Sequence, residues 1–214
     1  MKTKPQAYIG TDESGKGDFF GPLVIAGVLV TPQSLLRLEE IGVRDSKRMS
    51  DNRVSELGTT IRSELPNSIV VIGPERYNEL YDKIRNLNRL LAWGHARAIE
   101  NILEKHECQC ALTDQFGDEK FVKNALLEKG KKIELVQRPK AEEDLAVAAA
   151  SILARGEFVR RLENLSRTCG VELPKGCSSD IVGVGKKLTG KFGGEILRKT
   201  AKCHFKTTKQ ILAG

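Results

Sequence analysis

The fold is indicated first by residues 8–30, which read YIGTDESGKGDFFGPLVIAGVLV. The last eight residues of this segment form an almost unbroken apolar run, which predicts a strand that is buried on both faces. The first four predict another strand, and the glycines and proline between them predict a turn-rich connection. Farther along the chain, predicted strands alternate with predicted helices. The sequence therefore predicts an α/β layer fold.

Two adjacent carboxylates, Asp12 and Glu13, directly follow the first predicted strand. Like charges this close repel each other, and one would tend to take up a proton unless a cation lay between them. Mg2+ removes this conflict because it prefers oxygen ligands and is usually held by a few carboxylates together with substrate phosphate. Gly15, Lys16 and Gly17 follow, and they supply exposed backbone and one cation where a phosphate could lie. The segment thus predicts a metal-dependent enzyme that acts on a phosphate ester.

The composition is that of an ordinary globular protein. The chain has 214 residues, of which 40% are hydrophobic and 29% charged, so it is most simply one domain. No apolar run is long enough to predict a membrane span. Five irregularly spaced cysteines predict reduced thiols in a cytoplasm. We therefore expect a single domain over residues 1–214, which acts in the cytoplasm as a monomer.

The net charge of +7 is concentrated near the C-terminus. Residues 165–214 contain ten Lys or Arg and three Asp or Glu, so this segment alone carries +7 and the remainder is balanced. A basic segment on a neutral body predicts a surface for a polyanion. The alternative is a solvated basic tail without a partner. Together with an acidic metal site, the segment is better explained by contact with a nucleic-acid backbone.

Two further acidic sites could join the carboxylate pair. Asp114 follows a short predicted strand, and the run Glu142–Asp144 begins a long predicted helix that extends to about residue 165. Because open α/β sheets bind ligands beyond their strand ends, these acids could converge with the pair. Each also has a purely structural explanation. Asp114 could cap a turn, and the run could complement the dipole of the helix.

Five ordered segments resemble the type 2 ribonucleases H, and ribonuclease HIII in particular. They are DESGKGDFFGPLV from Asp12, RDSK from Arg44, TDQFG from Thr113, KAEEDLAVAAASILAR from Lys140 and KCHFKTT from Lys202. The resemblance implies an α/β fold of the RNase H-like type, with a central mixed β-sheet flanked by helices. It also implies a helical, basic C-terminal segment at about residues 165–214, which would bind substrate.

The same resemblance implies a reaction and assigns residues to it. The expected activity is endonucleolytic hydrolysis of the RNA strand of RNA/DNA hybrids at a two-metal site that holds Mg2+ or Mn2+, leaving 5′-phosphate and 3′-hydroxyl ends. The implied catalytic and metal-binding residues are Asp12, Glu13, Asp114 and Glu142, with Asp144 as the second choice for the fourth. The implied substrate-binding residues are Ser14, Gly15, Lys16, Gly17, Lys47, Ser178, Ser179, His204 and Lys206. Lys47 could instead be a surface lysine, and His204 could simply pack.

Two departures from the family pattern bear on specificity. Ribonuclease HIII usually carries an extra N-terminal substrate-binding domain, which we expect to be absent here. Ribonuclease HII carries a tyrosine in a G-Y-x-S-D-like stretch that recognises a ribonucleotide–DNA junction, whereas this chain has Cys177 at that position. A thiol cannot stack on a deoxyribose as a phenol ring does, so we expect weak incision at a single embedded ribonucleotide.

Three alternatives to a hybrid-specific ribonuclease remain at the level of sequence. The first is a junction-cutting ribonuclease HII. The second is a nucleic-acid-binding module that keeps the fold without catalysis. The third is another RNase H-like nuclease, such as a resolvase or transposase core. The intact acids at positions 12, 13 and 114 argue against a pure binding module, because such a module gains nothing from acids that face phosphates.

Overall fold

A computed structural model describes residues 7–44, 46, 49–177 and 180–213. The strands of this part of the chain are β1 (Tyr8–Ser14), β2 (Leu23–Val30), β3 (Asn67–Ile72), β4 (Cys110–Asp114) and β5 (Glu134–Arg138). Its helices are α1 (Pro32–Glu40), α2 (Asp51–Glu64), α3 (Pro74–Ile84), α4 (Leu87–Leu103), α5 (Lys120–Ala125), α6 (Leu145–Cys169), α7 (Asp180–Phe192), α8 (Ile196–Thr200) and α9 (Lys206–Leu212). Short 3-10 turns lie at Gly130–Lys132 and Ala141–Glu143.

The strands form one five-stranded sheet in the order β3-β2-β1-β4-β5. β1 and β4 run parallel with Thr11 opposite Thr113, and β4 and β5 run parallel with Asp114 opposite Arg138. The carboxyl ends of these three strands therefore lie at the same edge of the sheet. Every residue of β2 is buried, as its apolar run predicts. The predicted α/β fold with a central sheet and flanking helices is confirmed.

The structure divides into two compact units. Unit 1 is formed by Met1–Glu13, Ile25–Val70 and Leu87–Gly156, and unit 2 by Ser14–Val24, Val71–Asn86 and Glu157–Gly214, each as far as its residues are described. Most of the sheet lies in unit 1. The described part of the basic C-terminal segment lies in unit 2, where α7, α8 and α9 confirm that it is helical. The assignment of residues 1–214 to a single domain stays a prediction.

Two helices cover opposite faces of the sheet in unit 1. A Cβ atom on Gly10 would lie 2.3 Å from the carbonyl carbon of Ala146 and 2.5 Å from the nitrogen of Val147, so α6 runs directly against β1. On the other face, a Cβ atom on Gly94 of α4 would lie 2.5 Å from the Ile25 side chain. Because successive strand residues point to opposite faces, Asp12 projects on the α6 side, like Gly10.

Two predicted boundaries that affect the site are wrong. β1 continues to Ser14, so the acid pair lies within the strand and not beyond it. α6 begins at Leu145 and not at Glu142, because Asp144 is extended with φ −82° and ψ 134° and its carboxylate accepts a hydrogen bond from the Ala146 amide at 2.9 Å. The acidic run therefore precedes the helix.

All five cysteines are free thiols in the structure. Within residues 7–44, 46, 49–177 and 180–213, we find no helix with the length and apolar character needed to cross a membrane.

Candidate active site

Three of the four predicted catalytic acids come together at the carboxyl edge of the sheet in unit 1. Thr11 lies opposite Thr113 in the parallel ladder, so Asp12 and Asp114 occupy neighbouring strands at the same level. Glu13 follows Asp12 in β1 and points to the opposite face of the sheet. Strand pairing over a separation of about a hundred residues thus produces the arrangement that the sequence predicts for Asp12, Glu13 and Asp114.

The environment of Asp12 disfavours its charged form. Loss of hydration on burial is the main cause that raises the pKa of Asp12 to about 7, and the negative charges of Glu13 and Asp114 raise it further. Hydrogen bonds from the Ser151 side chain and from backbone at Glu13 act in the opposite direction and stabilise the carboxylate. A cation at this position would favour ionisation of Asp12. The hydrogen bonds thus offset only part of the cost of a negative charge on Asp12.

His95 is a member of the site that the sequence did not reveal. It is fully buried on α4, its Nε2 lies 3.2 Å from Oε2 of Glu13, and its Nδ1 lies 2.8 Å from Oγ1 of Thr11. The ring stacks on Phe116 with centroids 4.9 Å apart. His95 therefore fixes the direction of the Glu13 carboxylate. In the sequence, His95 is a single histidine among the apolar residues of α4. This pattern does not indicate that Glu13 is its partner.

The two candidates for the fourth acid lie in different surroundings. One carboxylate oxygen of Asp114 accepts a hydrogen bond from the Ala141 amide at 3.2 Å. Ala141 begins the 3-10 turn, and Glu142 is the next residue, so the start of the turn lies beside Asp114. Asp144 instead accepts hydrogen bonds from the Tyr8 hydroxyl at 3.0 Å. Tyr8 begins β1, four residues before Asp12, which corresponds to about 13 Å of strand.

Asp144 is also engaged by groups that suit a structural role. It caps α6 through the Ala146 amide and lies 3.7 Å from the Arg138 guanidinium. Burial and the neighbouring Asp144 carboxylate raise the pKa of the Tyr8 hydroxyl well above its ordinary range, so this hydroxyl stays protonated and keeps donating. These contacts give Asp144 a structural explanation, and the choice of Glu142 as the fourth acid stays a prediction.

Ser46, from the RDSK segment, is connected to Asp12 through Ser151 of α6. Ser46 is buried, and its hydroxyl lies 2.8 Å from that of Ser151, the residue that bonds to Asp12. The Arg155 guanidinium donates to the Ser46 carbonyl and forms an ion pair with Asp51 at 2.7 Å. Lys47, the predicted phosphate contact, lies outside the described residues.

The predicted substrate loop belongs to unit 2, and we call residues 15–21 the glycine loop. Gly15 has φ +87°, and a Cβ atom there would lie 2.2 Å from the carbonyl oxygen of Pro22, so its geometry requires glycine. At Gly17, which is exposed, a Cβ atom would have no other described atom within 4 Å. The packing of the described protein therefore does not require glycine at position 17, where open space is available for a ligand. Ser14, which precedes the loop, and Lys16, which lies within it, are half-buried.

The other predicted substrate-binding residues differ in their exposure and in whether the structure describes them. Ser178 and Ser179 lie outside the described residues, although the preceding Cys177 donates from Sγ to the Gly17 carbonyl at 3.0 Å. His204 is half-buried in an aromatic group and stacks on Tyr81 with ring centroids 4.3 Å apart. Lys206 is exposed at the start of α9. The packing alternative thus fits His204, and its substrate contact stays a prediction.

The donor set of the site suits a hard divalent cation. Asp12, Glu13, Asp114 and Glu142 offer only carboxylate oxygens, which Mg2+ and Mn2+ accept. Within the described residues, no three acidic, histidine or cysteine side chains are positioned so that they already surround one ion. Part of the reason is that Asp12 and Glu13 point to opposite faces of the sheet. In addition, Glu13 contacts His95. The chemistry of the donors therefore fits a metal, and ligation would require side-chain adjustment.

Comparisons with known proteins identify close relatives over almost the whole chain. The family model described as Ribonuclease HII matches residues 9–208. Ribonuclease HIII of Protochlamydia amoebophila is 50% identical over 205 residues, which cover 96% of this chain and 68% of that protein. Ribonuclease HIII of Chlamydia pneumoniae is 44% identical over 209 residues, which cover 96% of this chain and 70% of that protein.

Solved structures agree with these sequence matches. The crystal structure of Bst-RNase HIII in complex with Mn2+ superposes with a TM-score of 0.90 at 30% identity, covering 97% of this chain and 69% of that one. Ribonuclease H2 from Pyrococcus horikoshii OT3 superposes with a TM-score of 0.78 at 24% identity, covers 96% of both chains, and supports the fold alone. The predicted RNase H-like fold is thereby confirmed.

Proposed function

Because the chain belongs to the ribonuclease HII family, we propose that it is a metal-dependent endoribonuclease that hydrolyses the RNA strand of RNA/DNA hybrids. The observation that supports this most directly is the meeting of Asp12, Glu13 and Asp114 at one strand edge, where Asp12 has a pKa of about 7. A non-catalytic binding module would gain nothing from acids held in this way. The expected products carry a 5′-phosphate and a 3′-hydroxyl.

The four acids have distinct roles in the proposed mechanism. Asp12, Glu13, Asp114 and Glu142 would hold Mg2+ or Mn2+, and two such cations when bound would activate a water and neutralise charge on the departing 3′ oxygen. Ser151 holds the Asp12 carboxylate by a hydrogen bond, and His95 holds that of Glu13. The Ala141 amide fixes one oxygen of Asp114 and leaves the other available. No covalent nucleophile is required.

The glycine loop is the proposed contact for the RNA strand. Backbone at Gly15 and Gly17 would approach the 2′-hydroxyl, which is the group that distinguishes RNA from DNA. Lys16 supplies a positive charge, and the exposed Lys206 supplies another in the basic C-terminal segment. We expect a monomer that acts in the cytoplasm and binds the hybrid through these basic groups.

Cleavage of end-labelled substrates tests the proposed function. The panel contains a continuous RNA/DNA hybrid, a duplex with one ribonucleotide, double-stranded RNA and double-stranded DNA, each with Mg2+, Mn2+ or EDTA. We expect metal-dependent cleavage of the hybrid with no cleavage of either double-stranded RNA or double-stranded DNA. Binding of the hybrid without cleavage under every metal would contradict catalysis and favour the binding-module alternative.

Substitution of the two candidates for the fourth acid should separate their roles. We expect Glu142→Gln to lower the rate of hybrid cleavage by at least about a hundredfold, because it removes a carboxylate ligand beside Asp114. We expect Asp144→Asn to keep at least a third of the rate and to lower the melting temperature, because the Tyr8, Arg138 and Ala146 contacts weaken. Cleavage kinetics and thermal denaturation of both variants check this. The reverse pattern would assign the fourth ligand to Asp144.

Cys177 gives a prediction about specificity. We expect incision at a single embedded ribonucleotide to be at least about tenfold slower than cleavage of a continuous hybrid, since a missing base or sugar stacking contact costs about 1–3 kcal/mol. We expect Cys177→Ser to leave this ratio unchanged, because a hydroxyl donates to the Gly17 carbonyl as the thiol does. Rate comparison on the two substrates checks this. Similar rates on both would favour the ribonuclease HII-type alternative.

A further inference from the structure

Lys202 is the most deeply buried lysine of the described chain, and nothing in the proposed reaction uses it. Its relative exposure is 0%, and its Nζ donates to the carbonyl oxygens of Asp18 and Gly21, each at 2.8 Å. Both acceptors belong to the glycine loop. A buried lysine costs free energy unless its head group is hydrogen-bonded, so the two carbonyls provide the compensation for its burial.

The backbone around Lys202 continues this connection. The Lys202 amide donates to the Phe19 carbonyl at 2.9 Å, and the Gly21 amide donates to the Thr200 carbonyl at 2.9 Å. Phe20 and Ala201 form an antiparallel bridge. The glycine loop and residues 200–202 are therefore joined by backbone bonds, and the lysine head group closes the turn between Asp18 and Gly21.

The charge state of Lys202 does not determine whether these bonds form. Burial lowers the pKa of Lys202 to about 7, while the charges of Asp18 and Cys177 oppose the shift. An ammonium group has three N–H donors and a neutral amine has two, and the loop offers two carbonyl acceptors. The lysine can thus hold the loop on either side of neutral pH.

We propose that Lys202 is a positioning residue that holds the glycine loop in the conformation that binds the RNA strand. The inference rests on the proposed function, because it assigns the loop to substrate binding. Lys202 touches no substrate itself and acts through the carbonyls of Asp18 and Gly21. The ligand class is a ribonucleotide strand paired with DNA, approached by backbone at Gly17, where the described protein leaves space for it.

Asn78 provides a matched control within unit 2. It is also buried, and its Nδ2 donates to the carbonyls of Arg198 and Ala201 at 3.1 and 2.8 Å. Like Lys202, it uses a polar side chain to satisfy two backbone carbonyls of a buried segment. Its Oδ1 also accepts a hydrogen bond from the Cys203 amide at 2.8 Å. Asn78 therefore supports the segment that carries Lys202, whereas the Lys202 head group bonds to the glycine loop itself. A purely structural role for Lys202 predicts that both residues behave alike.

The test compares Lys202→Met with Asn78→Leu. We expect Lys202→Met to raise the KM for a continuous hybrid about tenfold with kcat within about twofold, and to raise the Kd for the same hybrid about tenfold in an Asp114→Asn background. We expect Asn78→Leu to lower the melting temperature with KM and Kd within about twofold of the parent. Equal losses of affinity in both variants, or unchanged affinity in Lys202→Met, would overturn the proposal.

Hydrogen exchange gives a second readout that does not depend on activity. The Gly21 amide donates to the Thr200 carbonyl, and the Lys202 head group bonds to the Gly21 carbonyl, so we expect Lys202→Met to lower the protection factor of the Gly21 amide at least about tenfold. Unchanged protection of Gly21 in Lys202→Met would overturn the proposal. If the parent protein cleaves no hybrid, the proposed function fails, and this comparison still decides whether the Lys202 head group holds the loop.

Discussion

Asp114→Asn should lower hybrid cleavage by at least about a thousandfold while leaving the protein folded. The loss follows from removal of a carboxylate charge beside Asp12, because stabilisation of the transition state by bound metal is worth several kcal/mol. The fold should persist because Asn retains the Oδ1 acceptor that binds the Ala141 amide. Single-turnover cleavage with saturating Mg2+ or Mn2+ and thermal denaturation check the two parts of the prediction.

Asp118→Asn is the matched control for this change. Asp118 also accepts one backbone hydrogen bond, from the Lys120 amide at 2.9 Å, and it lies in the same unit. Asn preserves that bond, so we expect cleavage within about twofold of the parent protein. An Asp114→Asn variant that retains a tenth or more of the parental rate would remove Asp114 from the catalytic set.

Gly10→Ala should cause a large loss of stability from a single added methyl group. The new Cβ would lie 2.3 Å from the carbonyl carbon of Ala146 and 2.5 Å from the nitrogen of Val147. Both are backbone atoms of α6, so no side-chain rotation relieves the contact and the helix must move away from β1. Overpacking of this kind costs about 3 kcal/mol or more, which lowers the melting temperature of a chain this size by about 6–12 °C.

Gly17→Ala is the comparison for that experiment, because no described atom lies within 4 Å of the added Cβ. We expect its melting temperature to stay within about 2 °C of the parent protein. The proposed RNA contact predicts weaker hybrid binding by this variant, which separates folding from binding. Thermal denaturation of both variants at equal concentration measures the difference. A Gly10→Ala protein as stable as Gly17→Ala would contradict the close approach of α6 to β1.

The sequence determined the fold class and indicated that three candidate acids lie at one edge of the sheet, because both conclusions depend on short-range patterns. The apolar run of β2 and the small residues of α6 identify a buried strand and a closely packed helix. Asp12, Glu13 and Asp114 were identified at the ends of predicted strands and by the ordered motifs. Their convergence followed from the rule that parallel strands place their carboxyl ends at one edge. No long-range contact had to be known for these conclusions.

The tertiary structure decided what depends on contacts between distant segments. Sequence position alone left Glu142 and Asp144 nearly equivalent. Only the structure shows that the Tyr8 hydroxyl bonds to Asp144, whereas the Ala141 amide next to Glu142 bonds to Asp114. His95 is 82 residues from Glu13 in the chain, and no local pattern connects them. In the sequence, Lys202 is one of ten basic residues in the C-terminal segment. Only the structure shows that its head group bonds to the glycine loop. In each case the role is set by which atoms lie within hydrogen-bond distance, and such distances arise only from packing of the whole chain.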